Sequence, residues 1–149
     1  MTGANRPQSL LFLCSHNAVR SPMAEVIARH FIGGDTYIAS AGIRPSEPDP
    51  FAVAVMDEIG LDIARHRPHS FEDLEDTSFD VIVSLSPEAH HHALELTRTM
   101  AVEVIYWPTP DPTLVSGARD QIFESYRDVR DGLLKRIRET FGRRPMGGV

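Results

Sequence analysis

Five residues separate Cys14, the one cysteine of the chain, from Arg20, in the segment Cys14-Ser15-His16-Asn17-Ala18-Val19-Arg20-Ser21-Pro22. A tight loop running into a helix N-terminus points its backbone N–H groups inward and offers partial positive charge to an anion. The Arg20 guanidinium adds a planar fork that grips two oxygens of a tetrahedral ion, a geometry lysine lacks. A thiol at the start of such a loop, beside the arginine and the Ser21 hydroxyl, is expected to exist as thiolate. Thiolate facing a bound oxyanion is the arrangement for nucleophilic attack on phosphorus or arsenic. The phosphate-binding set predicted here is Ser15, His16, Asn17, Ala18, Val19, Arg20 and Ser21. A structural cysteine buried at a strand end is the competing reading, and the arginine weighs against it.

The flanking sequence supplies a scaffold for this loop. Residues 9–14 form a short apolar run, read as a buried strand. Ser21-Pro22 reads as the cap and first position of a helix with Met23, Ile27 and Phe31 inward and Gly33-Gly34 at its end. Residues 36–40 predict a second strand and 44–50 a surface loop. Asp49-Pro50 opens a second helix with Phe51, Val55, Met56 and Ile59 on one face and Gly60 at its end. A basic loop from Arg65 to His69 and an acidic turn from Glu72 to Asp76 follow. Residues 80–85 and 102–107 predict two more strands, with a helix launched by Ser86-Pro87 and running to about Arg98 between them. Ile122, Tyr126, Val129, Leu133, Ile137 and Phe141 step by three or four, the period of a long amphipathic helix. Strand and helix alternate four times, which predicts one α/β domain over residues 1–149 with helices on both faces of a parallel sheet. Its ends, about 1–8 and 143–149, are expected to be loose. Ligands of such sheets sit beyond the carboxyl ends of the strands, which is where Cys14 falls.

Composition narrows the function classes. A chain of 149 residues, 42% hydrophobic and 24% charged, is ordinary for one globular domain and excludes disorder, collagen and coiled coil. No apolar run approaches the ~18 residues of a membrane span, and residues 10–14 fall short of a signal-peptide core. One cysteine excludes an intrachain disulfide and a cysteine-rich zinc site, and fits a reducing cytoplasm. A net charge of −6 argues against nucleic acid or an anionic membrane as partner. His90-His91-His92 cannot converge on one ion, because consecutive helical residues point ~100° apart. No metal and no organic cofactor is expected. Arg65-His66-Arg67-His69 reads as a solvent-facing charge run, or else as a rim for phosphorylated partners. Tyr106 and Trp107 read as core at a strand end, and Arg136, Arg138, Arg143 and Arg144 as complements of the last helix dipole. Asp111 lies in Pro108-Thr109-Pro110-Asp111-Pro112, at the same sheet edge as Cys14. It reads equally as a turn residue or as the proton donor that ester cleavage by a thiolate needs.

Residues 14–25, Cys-Ser-His-Asn-Ala-Val-Arg-Ser-Pro-Met-Ala-Glu, resemble the signature of the low-molecular-weight protein tyrosine phosphatase family, which includes the thioredoxin-coupled arsenate reductases. The likeness continues through Ser40-Ala41-Gly42, Gly60 and the basic loop after it, residues 79–83, and Asp111-Pro112. It implies a four-stranded parallel sheet of flavodoxin-like order 2-1-3-4. It also implies Cys14 as nucleophile, Arg20 as anion clamp and Asp111 as general acid. Ser21 is implied to hydrogen-bond the thiolate, and Asn17, held by Ser40, to take the strained backbone that shapes the loop. The implied substrate is a phosphorylated protein or a small phosphate or arsenate ion. Hydrolysis of phosphomonoesters through a phosphocysteine ranks first. Arsenate reduction ranks second, and an oxyanion sensor without catalysis third.

Three departures from the family pattern bear on that ranking. Thr113-Leu114 and Ile43-Arg44-Pro45 stand where the phosphotyrosine enzymes carry aromatic walls, each wall worth about 0.5–1.5 kcal/mol to a ring. Ser86 aligns with the first shuttle cysteine of the arsenate reductases, and none follows it, so reduction needs an external thiol and a glutaredoxin-like partner. Val19 replaces the cysteine that many eukaryotic-type members carry before the arginine. Peroxide should therefore drive Cys14 through sulfenic to sulfinic and sulfonic acid, with no disulfide to arrest it. Intact-mass measurement after graded peroxide should show the irreversible products directly; recovery of the free thiol with dithiothreitol after prolonged exposure would contradict this.

Overall fold

The computed structural model describes residues 7–74 and 77–142. The run Ser9–Cys14 forms β1, buried on both faces as its unbroken apolar sequence requires. The other strands are β2 Tyr37–Gly42, β3 Val81–Ser84 and β4 Glu103–Tyr106, all parallel, in the spatial order 2-1-3-4. Leu10 and Phe12 face one side of the sheet and Leu11 and Leu13 the other, so neighbouring residues feed two separate cores. Full burial of such side chains is worth roughly 1.5–3 kcal/mol each.

The larger core holds helices α1 Arg20–Ile32, α2 Pro50–Asp57 and α4 Arg119–Phe141 against one face. The smaller holds α3 Pro87–Leu96 and the 3-10 turn Phe71–Asp73 against the other. These make the three layers predicted from the alternation. Asp49 caps α2 through Phe51 N and Ser86 caps α3 through Ala89 N, each followed by proline, as the sequence indicates. In α4, Tyr126, Val129, Leu133, Ile137 and Phe141 are buried, and Ile122 is half-buried.

Several expectations need correction. Helix α1 begins at Arg20, with Val19 as a cap lacking a side-chain bond, because the Ser21 hydroxyl is committed to Cys14. Strand β2 lies later than residues 36–40, since its pairing with β1 carries it to Gly42. Phe31 is only half-buried, and Ile59 is exposed beyond the end of α2. Arg136 and Arg138 lie over the Trp107 and Phe31 rings, and Arg138 also stands in the last turn of α4. Trp107 is core, near Phe12 and Phe141, while Tyr106 is half-buried and stacks on His90. Pro7 and Gln8 are tied down, their carbonyls accepting from Thr36 and Tyr37. Residues 1–6, the Glu75-Asp76 end of the acidic turn and the tail with Arg143 and Arg144 lie outside the described residues.

Helix α2 is anchored to α4 through Glu58, which accepts hydrogen bonds from Arg127 and Arg130. Arg127 first, then Arg130, hold its carboxyl at about 2, below the ordinary 4.5. A depressed carboxyl contributes stability above its unfolded value and loses it as pH falls toward the folded one. The pair is solvent-screened, so the contribution is modest. Thermal unfolding of Glu58→Gln should show a lower Tm than wild type at pH 7, with the two curves converging between pH 4.5 and about 2. A gap that is constant with pH would contradict the assignment.

Candidate active site

The strand order reverses between β1 and β3, and the loop following β1 lies at that switch point. What shapes the loop is the occupation of its carbonyls. Ile43, Arg44, Ser46 and Asp49 donate in succession to the carbonyls of Cys14, Ser15, His16 and Ala18, at 3.2, 2.7, 2.9 and 3.1 Å. The connection from β2 to α2 thus runs along the outside of the loop and takes up its acceptors. The N–H groups of Ser15, His16, Ala18 and Val19 have no acceptor among the described residues. Such a row of free amides beside a helix N-terminus is an anion cradle. Gly42 is required for this close passage, because a Cβ there would lie 2.6 Å from Asn17 N and 2.7 Å from the His16 carbonyl carbon.

Asn17 is the one non-glycine described residue with positive φ, at 54°. Asparagine tolerates this left-handed conformation better than most residues. Its side chain is fully buried and spent on holding the turn. Nδ2 donates to Ser21 Oγ at 2.8 Å and Ser40 Oγ at 3.0 Å. Oδ1 accepts from His69 N at 3.1 Å and from His66 Nε2 at 2.8 Å. Ser40 in turn donates to Glu25 at 2.6 Å. Ser21 Oγ accepts from Asn17 and turns its hydrogen toward Cys14 Sγ, 2.9 Å away, with the Ala41 carbonyl a longer contact at 3.4 Å. Asn17 N points at the same sulfur from 3.3 Å. Cys14 itself is only 2% exposed.

Arg20 is buried at the start of α1 and reaches across the loop. Nη1 donates to the Thr109 carbonyl at 3.0 Å, and Nη2 lies 3.8 Å from Asp111 Oδ2. Asp111 accepts from the N–H and the hydroxyl of Thr113 on Oδ1, at 3.0 and 2.7 Å, which leaves Oδ2 facing the arginine. It is therefore a turn residue and a cleft residue at once. Cys14, His16, Ala18, Val19, Arg20 and Asp111 line a cleft of about 530 Å³, and Thr113 and residues 46–50 complete it. Ser15 and Ser21 are buried beneath its floor, Ser15 Oγ sitting 3.1 Å from Ser86 Oγ. Among the described residues no Phe, Tyr or Trp lines the cleft.

Sequence reasoning missed the supports that come from afar. His66 does not face solvent with Arg65 and Arg67; its side chain is 9% exposed, behind Asn17. Glu25 and His66 belong to this buried array, and nothing local marks them, since Asn17 and His66 are 49 residues apart in sequence. Asp49 accepts from Tyr126 at 2.8 Å, joining the cleft wall to α4. Burial, the Asp49 hydrogen bond and the charges of Asp49 and Asp111 push that phenol upward, so it stays a donor. His90 is engaged with Ser84 and Tyr106, and among the described residues no group of metal-binding side chains forms.

The match to known proteins agrees with this geometry. The family model for low molecular weight phosphotyrosine protein phosphatase matches residues 9–141. The chain belongs to that family, an enzymatic one that spans tyrosine phosphatases and arsenate reductases. The arsenate reductase of Halalkalibacterium halodurans is 30% identical over 131 residues, covering 87% of this chain and 91% of that one. The glutaredoxin arsenate reductase of Synechocystis sp. is 28% identical over 132 residues, covering 87% and 93%. A solved arsenate reductase in the phosphate binding state is 27% identical with a TM-score of 0.68, covering 89% and 95%.

The buried histidine makes the loop support pH-sensitive. Burial pushes the His66 imidazole below its ordinary 6.5; the Glu25 carboxylate opposes this, and His69 and Arg29 add to it. A histidine with a lowered folded value contributes stability above pH 6.5 and loses it as pH falls from there toward the folded value. Wild type should therefore lose Tm on acidification from pH 7 to 5 more steeply than His66→Asn. Parallel Tm profiles for the two proteins would refute the role of His66.

Proposed function

We propose that this protein reduces arsenate with an external thiol, Cys14 acting as nucleophile. The observation that carries the reading is a lone, buried cysteine beneath an open oxyanion cradle. The free amides of Ser15, His16, Ala18 and Val19 and the Arg20 guanidinium would hold the anion, with the charge-assisted fork supplying much of the affinity. Cys14 Sγ forms the S–As bond as one arsenate oxygen leaves as water, its proton supplied by Asp111. Sγ lies at the cleft floor, so the next nucleophile reaches arsenic only from the mouth, in line with the departing sulfur. A low-molecular-weight thiol attacks there. The new S–As bond forms, the Sγ–As bond breaks with its electron pair returning to Cys14, and Asp111 takes the thiol proton. A second thiol attacks the sulfur of the released adduct, giving a disulfide and As(III). Two thiols thus supply the two electrons. A glutaredoxin-type partner suits this last step, and a reducing cytoplasm suits the whole.

The sequence ranking puts hydrolysis of phosphate esters first. The names of the curated relatives favour reduction, and a cleft without aromatic walls favours a small inorganic ion over a phosphotyrosine ring. Hydrolysis through a phosphocysteine remains the second reading. It is supported by the family and by Asp111 Oδ2 beside Arg20, where it could protonate a leaving alkoxide. The two chemistries share every residue and differ in the second nucleophile, thiol or water.

Paired assays test the choice. Arsenite should form with 2-mercaptoethanol plus glutaredoxin and not with thioredoxin alone, Cys14→Ser should abolish it, and Asp111→Asn should slow it by ~10²-fold. Turnover of p-nitrophenyl phosphate with no arsenite under any thiol would replace this reading with the second.

A further inference from the structure

The cleft is larger than its anion. A volume of about 530 Å³ falls within the ~300–1,000 Å³ of sites that hold whole organic ligands. A tetrahedral ion over Cys14 Sγ occupies only the floor, and residues 46–50, Asp111 and Thr113 line the remainder. Its charges are unevenly committed. Arg20 is engaged by Thr109 and Asp111, Asp49 by Phe51 N and Tyr126, and Asp111 by Thr113. Glu47 is exposed and has no hydrogen bond or ion pair among the described residues, so it is the cleft's free carboxylate. With Asp49 and Asp111 it makes the outer cleft acidic above a floor that attracts anions.

Resting on the reductase reading, we propose that the outer cleft is the subsite of the thiol cosubstrate, and that Glu47 selects cationic or neutral thiols over anionic ones. The floor takes the oxyanion and neutralises it with Arg20 and backbone amides. A carboxylate-bearing thiol approaching arsenic from the mouth would be repelled by Glu47 and Asp49, whereas an ammonium group would be drawn in.

The test uses full-length wild type and Glu47→Gln with saturating arsenate and three thiols of similar size: cysteamine, 2-mercaptoethanol and 3-mercaptopropionate. The variant-to-wild-type ratio of kcat/KM for arsenite formation, taken for each thiol, cancels differences in intrinsic nucleophilicity. Relative to 2-mercaptoethanol, the ratio should rise about fivefold for 3-mercaptopropionate and fall about fivefold for cysteamine. In wild type alone, added salt should slow cysteamine and speed 3-mercaptopropionate by screening the same charge. Equal ratios for all three thiols, or identical salt responses, would overturn the subsite while leaving arsenate reduction intact. Absence of arsenite with every thiol would overturn both.

Discussion

Asn17 holds its backbone in a region that costs most residues energy, and it does so because its carboxamide is saturated from four directions. A left-handed residue in the middle of the loop reverses the chain, so that amides on either side converge on one point. The same carboxamide donates to Ser21 and thereby leaves the serine hydrogen for the Cys14 sulfur. Loop shape and the contacts to the Cys14 sulfur are thus consequences of one residue. Weakening any of its four contacts would loosen the loop and reorient the serine together.

The loop is also held from outside. The connection from β2 to α2 lies along it and accepts none of its amides, only supplying donors to its carbonyls. The polarity of the cradle follows: with the acceptors consumed on one side, what remains on the other is a set of donors. Buried polar groups are costly unless paired, so an arrangement that pairs the carbonyls and leaves the amides unpaired stores affinity for an anion. Gly42 permits this because its missing Cβ is the space through which the loop backbone passes.

Cys14, Asn17, Ser21 and Ser40 are buried and bonded to one another, and Arg20 is buried beside them, whereas Ser46, Glu47, Pro50 and Thr113 of the wall are exposed. A fixed floor suits a reaction whose first step is common to arsenate and phosphate esters, since the same S–As or S–P bond forms over the same amides. The family holds both tyrosine phosphatases and arsenate reductases, and among the described residues of this chain no Phe, Tyr or Trp lines the cleft.

Much of this was legible along the chain. The apolar run of β1, the proline-capped starts of α2 and α3 and the stepped face of α4 are local patterns, because strand and helix periodicity are written residue by residue. Cys14, Arg20 and Ser21 were legible for the same reason, as one loop of fixed spacing, and Asn17, Ser40 and Asp111 through family likeness. The start of α1 was misread because Ser21 has the residue type of a cap, and only the sulfur beside it shows where its hydroxyl is spent. His66 was misread as surface because a charge run looks solvated until the chain folds it behind Asn17. Glu47, Asp49 and Thr113 became a cleft wall only when segments more than sixty residues apart met at the sheet edge. Sequence by itself determined the elements and the loop from Cys14 to Arg20, whose information is local; tertiary structure alone decided which distant side chains buttress the loop and which charges line the cleft, since those depend on contacts that no spacing along the chain encodes.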